Sequence, residues 1–316
     1  MPTTLIHGGR WIPGGFAAFL ILALLVGASG RAALAQSDEA AQLERGAYLF
    51  IAADCQACHT DMKNKGALMA GGRALKTPFG TFYSPNITAD PETGIGNWTD
   101  EDFIRALREG VSPDGDYYFP VFPYPSYTKM TEQDMRDLKA YLFSLAPVKQ
   151  ANKEHDVDFP FGWRFTLGPW QWMNFTSGAF APEAGQSDRW NRGAYLVQAL
   201  GHCGECHTPR GWLGGTDSDF ALSGTPDGPE GEKVPNITPH KETGIGGWER
   251  ADILRVLTTG MLPDGDYAGS GMGEVVTFST SKLTPEDRNA IVEYLLSLPP
   301  IENTEAKATK AGSAWD

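Results

Sequence analysis

The sequence predicts a mainly α protein in which one small domain is written twice. Three observations predict it: an internal repeat, helical hydrophobic periodicity at matching places in both copies, and one Cys-x-x-Cys-His string in each. Arg45-Gly46-Ala47-Tyr48-Leu49 returns as Arg192-Gly193-Ala194-Tyr195-Leu196. Pro85-Asn86-Ile87-Thr88 returns as Pro235-Asn236-Ile237-Thr238, and Glu92-Thr93-Gly94-Ile95-Gly96 as Glu242-Thr243-Gly244-Ile245-Gly246. Pro113-Asp114-Gly115-Asp116-Tyr117 returns as Pro263-Asp264-Gly265-Asp266-Tyr267, and the offset stays between 147 and 150 throughout. A chain of 316 residues has room for two cores of this size.

Each copy reads as helix, cysteine motif, long loop, helix, loop, helix. The first helix is expected over about 40–53, where Leu43, Ala47 and Phe50 fall at helical spacing. The stretch 62–95 is rich in Gly, Pro, Asn and Thr and predicts irregular structure. Thr99 with Asp102 three residues on reads as a capping box, Phe103, Ala106 and Leu107 form the buried face behind it, and Gly110 stops that helix. The closing helix starts at Thr131, carries Met135, Leu138, Leu142 and Leu145, and ends before Pro147. In the second copy Thr284 caps, Pro285 takes the first helical position, and Ile291, Leu295 and Leu298 face inward. The copies are bounded at 36–148 and 189–301, with an aromatic-rich linker at 149–188 and a flexible polar tail at 302–316. The linker carries Trp163, Trp170 and Trp172 among Phe159, Phe161, Phe165 and Phe175, so it either packs across both copies or presents an apolar face to another subunit.

The cysteine motifs are Cys55-Gln56-Ala57-Cys58-His59 and Cys203-Gly204-Glu205-Cys206-His207, and they use all four cysteines of the chain. This is the attachment pattern of a c-type haem. Two thiols on one helical turn form thioethers to the two vinyl groups, and the following imidazole then lies under the macrocycle as an axial iron ligand. Zinc needs further Cys or His at ligand spacing, which neither site has nearby, and a thiol-redox pair does not require a following His twice over. Two covalently bound haem c groups are therefore expected, on Cys55, Cys58, Cys203 and Cys206, with His59 and His207 on the irons.

A six-coordinate carrier needs a second axial ligand, commonly a Met thioether. Met272 stands in the glycine-rich string Gly269-Ser270-Gly271-Met272-Gly273-Glu274, read as a loop, and is the candidate in the second copy, with Met261 in reserve. The aligned residue of the first copy is Phe122, which cannot bind iron; Met130, whose counterpart is Leu283, is the candidate there, with Met135, Met62 and Met69 as alternatives. His155 and His240 lie in expected loops, and His202 adjoins Cys203 on the proximal side. Arg73, Trp98 and Trp248 are candidates for contact with the haem propionates.

His7 and Arg10, the apolar run from Phe16 to Val26 and the string Ala33-Leu34-Ala35 read as a secretory signal peptide over 1–35. The run is shorter than the ~20 apolar residues of a spanning helix, and no later segment has that character, so the mature chain is expected to be soluble and periplasmic. The net charge of −13 becomes −15 once residues 1–35, with two arginines and no acids, are removed. That balance excludes nucleic acid as the expected partner.

The strings GTFYSPNITADPETGIGNWTDEDFIRALREG, FPYPSYTKMT and NRGAYLVQALGHCGECHTPRG resemble the cytochrome c subunits of bacterial periplasmic dehydrogenases, a group that includes those of alcohol, gluconate and fructose dehydrogenases. The resemblance covers nearly all of 40–300. It implies two tandem class I cytochrome c domains with long haem-wrapping loops, accepting electrons from a catalytic partner subunit. Acetic-acid-bacterial members have three haems and a membrane anchor, whereas two attachment motifs and no anchor are read here; that favours a relay to a downstream cytochrome or oxidase over direct quinone reduction. The expectation is thus an electron-transfer protein and not an enzyme; the alternative is a dihaem cytochrome c peroxidase-like enzyme, which needs one displaceable distal site and an acid–base group beside it.

Overall fold

In the computed structural model of the chain the described residues are Met1, Thr3 and 36–308, with only the backbone of Ser270. The signal peptide expected over 1–35 lies outside the described residues but for those first two. Two units are distinguished, 1–42 and 43–316. Of the first, residues 36–42 are helical. Both sequence copies lie in the second, and among the described residues no helix is long and apolar enough to cross a membrane.

The second unit opens with α1 (43–52), whose inner face is Gly46, Leu49 and Phe50. The short α2 (Cys55–His59) carries the first cysteine motif. Helix α3 (Asp100–Glu109) has the expected Thr99–Asp102 capping box, the expected buried face and a left-handed Gly110 at its end. One turn, α4 (Tyr124–Tyr127), leads into α5 (Glu132–Ser144), which Thr131 caps through the amide of Asp134. The second copy repeats this with α7 (Asp188–Tyr195), continued by a π-type turn over Leu196–Leu200, then α8 (Gly204–His207), α9 (Arg250–Thr259), α10 (Ser270–Phe278) and α11 (Pro285–Ser297). In the linker lies α6 (Leu167–Asn174).

The first and last helices of each copy cross where a glycine removes the side chain. A Cβ on Gly46 would stand 2.1 Å from the Asp137 carbonyl oxygen, and one on Gly193 would stand 2.0 Å from that of Ala290. The closeness lets the helix backbones touch and brings Arg45 onto Asp137 and Arg192 onto Asp287. The apolar faces of both copies then merge into one core, from Leu49 and Phe50 through Leu142 to Leu196, Leu257 and Leu295.

Three expectations change. The stretch 62–95 is not wholly irregular: β1 (Ala74–Thr77) and β2 (Gly80–Tyr83) form a hairpin, and β3 (Asp156–Val157) from the linker joins it antiparallel through Gly80↔Val157. The hairpin is short, and its third strand lies more than 70 residues away in sequence, so no local pattern announces the sheet. The string around Met272 is a helix and not a loop, because tertiary packing overrides its three glycines. The tail from 302 is held at least as far as 308: Asn236 donates from its amide to Ala306 O and the Ala308 amide donates to Thr243 O.

That tail segment has an exact analogue after the first copy. The Asn86 side chain donates to Val148 O and Gln150 O, as that of Asn236 does to Ile301 O. The Gln150 and Asn303 amides donate to Thr93 Oγ1 and Thr243 Oγ1. Each copy thus ends in a strap pinned on its own Pro-Asn-Ile-Thr loop. The linker packs on both copies and leaves several of its aromatic rings exposed. Trp170 Nε1 donates to Leu213 O of the second copy and Gln171 donates to Glu109 O of the first, while Phe159, Trp163, Phe165 and Trp172 stand exposed.

Candidate haem sites

Each motif sits on a helical turn that places its two cysteines and its histidine together, as the i, i+3, i+4 spacing requires. All four thiols are free. Burial pushes the Cys58 thiol up to about 11, with Asp54 adding to it, and Cys206 up to about 11, with Glu205 adding to it. The imidazoles are fixed in the same way in both copies: Nδ1 of His59 lies 2.9 Å from Pro85 O, and Nδ1 of His207 lies 2.8 Å from Pro235 O. A carbonyl only accepts, so each Nδ1 carries the proton and Nε2 is left with its lone pair. Burial also holds both imidazoles below the usual histidine range, so they are neutral donors. Two thiols and an oriented imidazole fit covalent haem c. Among the described residues no three His, Cys, Asp or Glu side chains gather as a metal cluster.

Of the methionines, Met130 is fully buried at the entry to α5, and Met272 is partly buried on α10 against the common core. Met69 is also fully buried, but its amide is bound by Thr60 Oγ1 beside His59, and the matching amide of Leu222 is bound by Thr208 Oγ1 beside His207. A leucine stands at the matching place in the other copy. Met135 is buried within α5, and Met62 is exposed.

Arg73 lies at the first motif, where its guanidinium donates to Ala57 O and to Glu274 of the second copy at 2.6 Å. Its charge is thus engaged by protein groups. Trp98 and Trp248 occupy equivalent places at the edge of the core. His155 accepts from the Tyr83 amide and packs on Phe82 and Phe119, away from both motifs.

The two motifs lie back to back across the copy boundary. Ser126 Oγ donates to Glu205 at 2.8 Å, and the Tyr127 ring stands edge-on to His202 with its hydroxyl on Ala53 O. Outside this contact two tyrosines are exchanged. Tyr48 of the first copy donates to Asp287 at 2.6 Å and accepts from the Thr284 amide. Tyr195 of the second donates to Asp134 at 2.5 Å and accepts from the Thr131 amide. Each tyrosine thus seals the N-terminus of the other copy's closing helix. Sequence reading missed these residues, although a signal existed: both tyrosines belong to the repeated Arg-Gly-Ala-Tyr-Leu string, and both targets are Thr-x-x-Asp caps.

A family model described as cytochrome c matches residues 43–146 and 191–299. The chain is 44% identical over 270 residues, 83% of its own length and 87% of the other's, to a "Diheme cytochrome c-type" protein of Cereibacter sphaeroides. It is 40% identical to the cytochrome c subunit of "Alcohol dehydrogenase (quinone)" of Gluconacetobacter polyoxogenes, over 88% of this chain and 60% of that one. It is also 40% identical to the "Fructose dehydrogenase cytochrome subunit" of Gluconobacter japonicus, over 81% of this chain and 52% of that one. The chain therefore spans little more than half the length of these two dehydrogenase subunits.

Proposed function

The chain belongs to the cytochrome c family, and from that premise we propose that it takes electrons from a dehydrogenase subunit in the periplasm and passes them to a downstream cytochrome or oxidase. One observation carries the reading: two Cys-x-x-Cys-His turns, each with its imidazole Nδ1 fixed on a proline carbonyl, lie side by side in one core. The Cys55/Cys58 and Cys203/Cys206 pairs hold two haem c groups, which when attached supply one-electron iron couples. His59 and His207 offer Nε2 to the irons, and the proline carbonyls keep them from rotating. Met130 and Met272 would supply a thioether to each iron. Met130 comes from the entry to α5 and Met272 from α10, so the two haems would have different surroundings and unequal potentials.

The names of the relatives supply the partner class, since several are cytochrome subunits of alcohol, fructose or gluconate dehydrogenases. The exposed aromatic surface of the linker, with Trp172 86% and Phe159 76% accessible, suits a protein contact. The test is stopped-flow mixing of the oxidised protein with a dehydrogenase of this class and its substrate. Fast, salt-sensitive haem reduction is expected. Reduced protein that hydrogen peroxide reoxidises rapidly and saturably would instead identify a peroxidase.

A further inference from the structure

The residue before each cysteine motif is Asp54 in one copy and His202 in the other. Both have left-handed backbones, with φ of 50° and 37°, and both lie at the copy boundary. His202 is provided for: Tyr127 covers its ring and its imidazole reaches Ala53 O. Asp54 is not. Asp54 Oδ1 is buried without a hydrogen-bond partner. Asp54 is only 8% accessible, and a buried carboxylate with an unpartnered oxygen is disfavoured as the anion.

The charged and titratable groups around it come from several elements. Glu274 on α10 opposes the anion, while Arg73 before β1 and Lys282 after α10 favour it. Arg73 is already paired with Glu274. Burial is the largest influence and pushes the Asp54 carboxyl up to about 8. The Asp54 charge is felt at Cys55, at Cys58, at Tyr127 and, across the boundary, at Cys206. It therefore stands within electrostatic reach of both attachment sites.

We propose that Asp54 binds a proton as the neighbouring haem iron is reduced, which makes this chain a carrier of a proton with its electron. The inference rests on the reading of the chain as a dihaem carrier. With haem attached, reduction of Fe(III) to Fe(II) by a one-electron donor would remove one positive charge that favours the Asp54 carboxylate. Asp54 then takes one proton from solvent and becomes the neutral acid. Oxidation would return the electron to the acceptor and the proton from Asp54 to solvent.

The test is a spectroelectrochemical titration of the holoprotein with chemical mediators, so that no dehydrogenase is needed. In the wild type, the reduced-to-oxidised ratio of one haem at fixed applied potential should fall as pH rises through the neutral to mildly alkaline range. The fall should approach about tenfold per pH unit at its steepest. Asp54→Asn, which tolerates the left-handed backbone, should flatten that dependence with both haems still attached by mass. Reduced-minus-oxidised infrared spectra of the wild type should show a protonated-carboxyl stretch that Asp54→Asn lacks, and this measurement stands even if the variant loads haem poorly. A pH-independent ratio, a slope kept in Asp54→Asn, or no carboxyl band on reduction would each overturn the proposal. Failure of the carrier reading is distinct, since the irons would then not titrate reversibly with the mediators at all.

Discussion

The glycine crossing gives the most direct check on how the copies are built. In Gly193→Ala the new methyl meets Ala290 O at 2.0 Å, Ala290 C at 2.6 Å and Tyr294 Cβ at 2.9 Å. Two of these are backbone atoms, so no side chain can swing aside. Helices α7 and α11 have to part by about 1 Å, and overpacking of this kind costs ~1–3 kcal/mol. Alanine returns about 0.5–1 kcal/mol of helix propensity, leaving a net loss of about 2 kcal/mol at the upper end. For a chain of this size that lowers the melting temperature by roughly 4–8 °C. Scanning calorimetry of the holoprotein measures it. Gly178→Ala is the control, because its Cβ meets nothing within 4 Å, and its melting temperature should stay level or rise slightly. A Gly193→Ala protein that melts with the wild type or above it would refute the crossing, and with it the claim that backbone contact sets the registry of the two helices.

Tyr48→Phe should destabilise by about 1–2 kcal/mol in urea titrations, and Tyr195→Phe by less. Tyr48 serves the buried Asp287, whereas the Asp134 that Tyr195 serves is open enough for water to replace the phenol. Burial raises the Asp287 pKa, but hydrogen bonds from Arg192 and Tyr48 outweigh it and hold the carboxyl below the usual range. Its contribution is complete above the unfolded-state value of about 3.9 and is lost as pH falls through the lower folded value. Asp287→Asn should therefore cost stability at neutral pH, and the gap to wild type should close in acid; a gap that persists there would show a packing effect instead. Mass spectrometry should find two covalent haems in the wild type, and Cys58→Ala or Cys206→Ala should weaken one attachment only. Replacement of Met130 or Met272 by His should each remove about half of the thioether-to-iron near-infrared band and lower one potential.

The sequence by itself determined what is local or repeated. The Cys-x-x-Cys-His turns need only five consecutive residues, so their chemistry was readable without any fold. The Thr99–Asp102 box, the Phe103–Ala106–Leu107 face and the Thr131 and Thr284 caps are short-range and appeared as expected. The offset of the repeat established two copies because equal sequence demands equal local packing. Tertiary structure alone decided how the copies meet. Tyr48 and Asp287 are 239 residues apart, and nothing between them has a period that would bring them together. It also decided that glycine-rich 270–278 is helical, since packing outweighed its propensity, and that 302–308 straps the second copy as 148–152 straps the first. The left-handed Asp54 shows the limit most clearly. It precedes the motif just as His202 does, yet only the arrangement of the copies lays the Tyr127 ring edge-on to His202 and leaves the Asp54 carboxyl buried with an unpartnered oxygen, because burial and partners belong to the assembled chain and not to any stretch of it.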